Sequence, residues 1–311
     1  MLQRLKVLIK SILSAGKFRK LIRDYCENPM RSTDQRQQSL LRRNFVLNGR
    51  KELEWAVKYC KVASRNKPRN LSIVEFINVS AEERAEAVLQ FNTLGYYVFN
   101  ERIPDSIIDE IVTYLGSQSI TSASDDTDVQ SFETIKPKCP TYWHKQSDLL
   151  ESEHLRHMIT SPALNEIATS ILGCTPVFDM VAAWWSFPSQ NPDSASAQLF
   201  HFDLDRLKWV KVFVYLTDVT DDNGPHVFLE GSHKFNGKYP HDGRFSDEDV
   251  YALTDNMYPE RRITGRKGTV FIEDTLGLHK GTPVKRGCRG VFEIEFSIGH
   301  FGYPYPQTPL D

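Results

Sequence analysis

Apolar positions recur at helical spacing through the first third of the chain and at strand spacing through its second half. Leu5, Leu8, Ile9, Ile12 and Leu13 fall on one stripe, and Arg4, Lys6, Lys10, Lys17, Arg19, Lys20 and Arg23 surround or follow it. That pattern predicts a basic amphipathic helix. Residues 39–62 predict another helix, which the polar stretch Ser64–Asn70, with Pro68, interrupts. Asn78–Leu89 predicts a helix capped near Ser80, with Glu82, Glu83 and Glu86 in the early turns where carboxylates suit the helix dipole. Leu94–Phe99 is a short β-like run, and Ile103-Pro104-Asp105 opens a helix through Leu115. Residues 118–135 are polar and predict a mobile loop.

From about Phe178 the texture changes. Val181–Phe187, Gln198–Phe202, Trp209–Leu216, His226–Leu229, Gly268–Ile272 and Gly290–Ser297 are short aromatic and β-branched runs between turn residues. Helices followed by many short strands predict an α+β chain whose second half closes as a jelly roll. On the strand 209–216, Trp209, Lys211, Phe213 and Tyr215 share one face. The aliphatic Val210, Val212, Val214 and Leu216 share the other, which calls for a second layer. Lys211 and Tyr215 therefore read either as contacts inside the barrel or as half-buried packing.

Charge adds a division that the overall net of −2 hides: residues 1–70 carry 18 Lys and Arg against 5 Asp and Glu, so the remainder is acidic. We divide the chain into a basic helical extension, 1–70, and a β-rich domain, 71–311. The first helix reads either as an anchor on an anionic membrane surface or as a helix packed on the acidic domain. Lys6 and Lys10 interrupt its apolar stretch and no cleavage site follows, which argues against a secretory signal. No apolar run reaches the ~18 residues of a membrane span. No nucleic-acid motif is present, so no nucleic-acid partner is expected. Five scattered cysteines without a CxxC pair argue against a disulfide framework or structural zinc, and predict a soluble protein of the reducing cytoplasm.

The candidate chemistry begins at His201-Phe202-Asp203. In an extended strand, residues i and i+2 face one side, so both polar side chains reach one metal while Phe202 packs behind. Alone the pattern is weak, because a chance His-x-Asp on a surface strand is as common. Downstream, His279 closes the segment from Gly268, and Arg289 stands ten residues later at the start of another strand. Two imidazoles and one carboxylate with open positions opposite describe the facial triad of non-haem Fe(II) oxygenases. A fixed guanidinium nearby suits an anionic co-substrate.

The stretch HFDLDRLKWVKVFVYLTDVTDDNGPHVFLEGSHK (His201–Lys234), with GTVFIEDTLGLHKGTPVKRGCRG (Gly268–Gly290), resembles the phytanoyl-CoA dioxygenase family. FNTLGYYVFNERIPDSIIDEIVTYL (Phe91–Leu115) resembles the family's opening strand and helix, so the likeness runs over about 90–300 and leaves the basic arm unmatched. The resemblance implies a double-stranded β-helix, Fe(II) as the metal and 2-oxoglutarate as co-substrate. It also implies hydroxylation of a small-molecule metabolite with O2, releasing succinate and CO2; a glycan- or lipid-type metabolite follows if the basic first helix sits on a membrane. It makes His201, Asp203 and His279 the metal ligands. Arg289 would hold the distal carboxylate of 2-oxoglutarate, with Arg286 as the competing candidate. Thr282 lies one position from a small hydroxyl that relatives offer to the same carboxylate. Phe213 falls where relatives often place a tryptophan, and Gly231-Ser232-His233 matches a turn motif in which His233 is not a ligand. The intact Asp203 points away from halogenation, where a small residue leaves room for halide.

Tyr142-Trp143-His144 and Trp184-Trp185 read either as core aromatics or as a substrate border, and His226 as a group behind the ligands. Two other functions remain open: a cupin-like metalloenzyme that does not use 2-oxoglutarate, and a jelly-roll scaffold without turnover.

Overall fold

The structure, a computed structural model, describes residues 2–27, 34–63, 70–72, 74–125, 127–188, 197–237, 239–240 and 243–305. At Gly49 the backbone leaves the helical range with φ 67° and ψ −154°, and the helix expected over 39–62 becomes two: α2 (Gln35–Asn48) and α3 (Arg50–Ala63). Glycine reaches this positive φ without a Cβ clash, and its N–H closes α2 on Phe45 O at 2.7 Å. The start of α2 is a reciprocal cap. The Asp34 carboxylate accepts from Gln37 N, while the Gln37 side chain accepts from Asp34 N. The Ser64–Asn70 break falls largely outside the described residues.

Ahead of them, α1 (Leu2–Glu27) buries Ser14, Phe18, Ile22 and Tyr25, a stripe of roughly helical spacing. Phe18 and Tyr25 meet Phe301 edge-on with ring centroids 6.1 and 5.3 Å apart, and share one buried cluster with the β-domain. This stripe is not the one read from the sequence. Ile9, Ile12 and Leu13 are 48%, 62% and 59% exposed, and the side chains of Leu5 and Leu8 lie outside the described residues. No helix among the described residues is long and apolar enough to cross a membrane.

Helix α4 (Ala81–Leu94) starts at Ser80, whose hydroxyl accepts from Glu83 N at 3.1 Å. Next come β1 (Tyr96–Val98), α5 (Asp105–Gly116), β2 (Ser119–Ser122), β3 (Val129–Ser131), β4 (Thr141–His144), α6 (Gln146–Glu151), α7 (Glu153–Ile159) and α8 (Pro162–Leu172). The barrel strands follow as β5 (Val177–Ser186), β6 (Trp209–Tyr215) and β7 (His226–Leu229). After α9 (Asp247–Leu253) come β8 (Glu260–Ile263), β9 (Val270–Glu273), β10 (His279–Gly281) and β11 (Arg289–Ser297).

One antiparallel sheet runs β1-β9-β6-β11-β5-β4-β2-β3, and a smaller one runs β10-β7-β8. Two antiparallel sheets with helices outside them make the jelly roll expected. The aliphatic side of β6 (Val210, Val212 and Val214) joins Ile167 and Ile171 of α8 in the main core. Its alternate side (Lys211, Phe213 and Tyr215) lines a cavity in the barrel.

Two expectations need correction. Residues 118–135 are not a loop without structure: β2 pairs with both β3 and β4. Ile120 is fully buried there, and the polar residues are satisfied locally, as where Tyr142 Oη donates to Asp128 Oδ2 at 2.8 Å. Nor do residues 198–202 form a continuous strand, since only the single bridges Phe200↔Phe245 and His201↔His279 occur.

Candidate metal centre

The bridge His201↔His279 builds the centre. Each backbone N–H donates to the other residue's carbonyl, at 3.0 and 2.9 Å, which sets the two imidazoles side by side with centroids 4.2 Å apart. Asp203 is fixed two residues on by its own N–H, which donates to Thr275 O at 2.7 Å. Phe202 points the other way, onto Tyr239 and Phe45 at 4.2 and 5.5 Å between centroids. Local extension, rather than a full strand, thus delivers the alternation.

Asp203 Oδ1 lies 3.8 Å from His201 Nε2, and Asp203 Oδ2 lies 3.6 Å from His279 Nε2. One ligand atom from each residue falls within 4.8 Å of the others. His201 Nδ1 is 3.0 Å from Leu199 O and His279 Nδ1 is 2.9 Å from Gly277 O. A carbonyl only accepts, so both Nδ1 atoms carry the proton and both Nε2 atoms turn a lone pair towards Asp203. Burial lowers the pKa of both histidines and keeps them neutral. Burial alone would raise Asp203, but the Lys211 ammonium holds it well below the usual carboxylate range. Two neutral imidazoles and an ionised carboxylate are a donor set that fits a divalent transition metal.

Lys211 underlies this set. Its Nζ is 2.9 Å from Asp203 Oδ2, 3.3 Å from Asp205, 3.1 Å from Glu293 and 3.6 Å from Glu295. Burial opposes its charge, yet the four carboxylates raise its pKa well above normal, while burial raises Glu293 and Glu295. Beside His279, Glu273 Oε2 lies 2.7 Å from His226 Nε2. Burial pushes the carboxyl up to about 8 and the imidazole down to about 3, which describes a neutral pair.

The cavity above the triad measures about 200 Å³. Arg289 enters it from the start of β11 and is 4% exposed. It donates through Nη1 to Gly224 O and through Nη2 to Ser186 Oγ at 3.3 Å, while its buried Nε has no partner among the described residues. Gly281 makes room for it, because a Cβ there would stand 2.6 Å from Nη2. Arg286 is exposed and does not line the cavity. Thr282 also stays off the lining, its hydroxyl donating to Pro225 O at 2.8 Å. Phe213 does line it, stacked on Phe271 with centroids 4.9 Å apart. Tyr215 forms wall, with its hydroxyl committed to Ile263 O at 2.7 Å.

The lining also holds residues the sequence left undecided or unmarked. Trp143 and Trp184 border the cavity, ring centroids 4.8 Å apart, while their neighbours Tyr142 and Trp185 are core. His226 and Glu293 are cavity residues, and Arg244 lines it from the segment before α9. Alternation along β11 carried a signal for Glu293, since Arg289, Val291, Glu293 and Glu295 share a face. Arg244 sits in irregular chain and had none. His233 is buried away from the cavity, 3.4 Å from Asn92 O.

Fold and site together define a jelly-roll protein with a candidate 2-His-1-carboxylate metal centre. The model of the phytanoyl-CoA dioxygenase family matches residues 95–288, more than half of the chain, and the chain belongs to that family of Fe(II)- and 2-oxoglutarate-dependent oxygenases. Among solved structures, the non-haem α-ketoglutarate-dependent epimerase SnoN from nogalamycin biosynthesis is similar at 13% identity and TM-score 0.53, covering 70% of this chain and 84% of its own. HygX from Streptomyces hygroscopicus, solved with nickel and 2-oxoglutarate bound, is similar at 16% identity and TM-score 0.51, covering 72% and 90%. At such identities these likenesses speak for the fold. No curated protein sequence matches this chain significantly.

Proposed function

We propose that this protein is an Fe(II)- and 2-oxoglutarate-dependent dioxygenase that hydroxylates a C–H bond of a small-molecule or glycan- or lipid-type metabolite, releasing succinate and CO2. One observation carries the reading: the His201, Asp203 and His279 donors share a cavity with a buried arginine that keeps an unpartnered donor. His201 and His279 offer Nε2 to the metal, with their rings locked through Nδ1. Lys211 holds Asp203 ionised and fixes its direction. Iron held there would supply the binding and activation of O2, the chemistry amino-acid side chains lack. Arg289 takes the distal carboxylate of 2-oxoglutarate in preference to the exposed Arg286. Phe213, Tyr215 and Phe271 wall the co-substrate from water. Thr282 supports the loop at Pro225.

The test is succinate release from 2-oxoglutarate by the iron-loaded protein. Asp203→Ala abolishes it on this reading; full activity in that variant removes Asp203 from the ligand set. Metal-dependent turnover of a substrate that needs neither 2-oxoglutarate nor Arg289 would favour a cupin-like enzyme.

On the surface, Ile9, Ile12 and Leu13 stand exposed on the helix that also exposes Lys6, Lys10, Lys17 and Lys20. This supports peripheral contact of α1 with an anionic membrane. The five free cysteines fit the reducing cytoplasm, where that surface would be met.

A further inference from the structure

Three cations line the cavity: Lys211, Arg289 and Arg244. Lys211 is engaged by four carboxylates. Arg289 is taken by 2-oxoglutarate in the reading above, on which this inference rests. Arg244 has no such claim on it. Among the described residues, no hydrogen bond or salt bridge engages its guanidinium, although Arg244 lines the cavity and burial works against its charge.

The backbone that carries it is nevertheless fixed. Phe245 N donates to Phe200 O at 2.8 Å, so Arg244 is held beside the residue that precedes His201. The two arginines also stand in different electrostatic surroundings. Arg289 interacts with Tyr215 and His226, whereas Arg244 interacts with Asp203, Asp205 and His201 and is repelled by Arg42. Arg42 therefore adds positive potential near Arg244. The remaining acid of the lining, Glu293, is 3.1 Å from Lys211. The same lining carries the Trp143–Trp184 pair, with Trp143 36% exposed at the rim.

We propose that Arg244 anchors the substrate through an oxyanion, a carboxylate or phosphate, while the substrate's flat or apolar body rests on Trp184 and Trp143. A planar guanidinium fork suits such a group bidentately, and indole faces suit the body. Arg244 is thus a specificity-determining residue, and the substrate class is an anionic metabolite with a ring or apolar portion.

The experiment titrates protein loaded with Ni(II) and 2-oxoglutarate with benzoate, phenyl phosphate and neutral benzyl alcohol, read by tryptophan fluorescence. Calorimetry reads 2-oxoglutarate affinity on the same proteins loaded with Ni(II) alone. At least one anion binds at least tenfold tighter than benzyl alcohol, and the tighter of the two identifies carboxylate or phosphate. Arg244→Gln removes that preference, Arg244→Lys keeps part of it, and neither changes 2-oxoglutarate affinity beyond about twofold. Equal binding of the three probes by the wild type, or a preference that survives Arg244→Gln, overturns the proposal. So does a parallel loss of 2-oxoglutarate affinity, which would make Arg244 a co-substrate residue. If wild-type protein fails to bind 2-oxoglutarate, the parent reading falls. The anion preference is then read with Ni(II) alone and stands or falls on Arg244→Gln.

Discussion

Lys211 Nζ lies 2.9 Å from Asp203 Oδ2, so the carboxylate between the two histidines is tied to a lysine buried on β6. The same ammonium serves Asp205, Glu293 and Glu295. Removing one partner of a buried ion pair leaves uncompensated charge and costs about 3–5 kcal/mol. Lys211→Met therefore lowers the melting temperature of the metal-free protein by about 5–8 degrees or prevents folding. A bound divalent metal restores part of the missing positive charge, so Ni(II) raises the melting temperature of the variant more than that of the wild type. Thermal unfolding with and without Ni(II) checks both; an unchanged melting temperature would show that Lys211 is not the centre's counter-charge.

The two arginines near the end of the chain separate by substitution. Arg289 is buried in the cavity with a free donor, and Arg286 is exposed outside it. Loss of a charge-assisted bidentate contact is worth several kcal/mol, so Arg289→Gln weakens 2-oxoglutarate binding about a hundredfold or more. Arg286→Gln leaves it within about twofold. Calorimetric titration of 2-oxoglutarate into the metal-loaded proteins measures both.

Acid sensitivity follows from His144. Its Nε2 accepts from Trp185 Nε1 at 2.8 Å, and burial lowers its pKa to about 4 from the ordinary 6.5. A depressed histidine contributes stability that is present above about 6.5 and is lost as pH falls through about 4, because the unfolded chain takes the proton first. The full loss is about 3 kcal/mol. Urea unfolding between pH 7 and 4 shows the decline, and His144→Gln makes it shallower; an identical slope in the variant would assign the decline to other groups.

Contact of α1 with membranes is tested with vesicles. Ile9, Ile12 and Leu13 are exposed and lie off the stripe that packs on Phe301. Replacing all three by serine leaves the melting temperature within about two degrees and releases the protein from vesicles containing phosphatidylserine. Equal sedimentation of wild type and variant with the vesicles rejects the contact.

How much was legible beforehand depended on periodicity. The β6 alternation placed Lys211, Phe213 and Tyr215 inside and the valines outside, because a strand between a cavity and a helix layer must segregate its faces. The His201, Asp203 and His279 cluster was legible because i, i+2 spacing survives in a short extended segment. Gly49 hid the break between α2 and α3, since one glycine leaves the apolar pattern intact while redirecting the backbone. The strands β2 and β3 were missed because β2 is held by cross-strand hydrogen bonds to β4, and β3 by such bonds to β2, rather than by a hydrophobic pattern. Arg244 and the Arg289 surroundings depend on chain segments far apart in sequence, which no local window contains.

The central claim is that the triad and Arg289 together hold a metal and 2-oxoglutarate. Its most direct test is anaerobic addition of Fe(II) to the metal-free protein with 2-oxoglutarate, followed in the visible region. The account predicts a weak charge-transfer band that needs both components and is absent in His279→Ala. Folded protein that binds Fe(II) yet shows no such band with 2-oxoglutarate would contradict it.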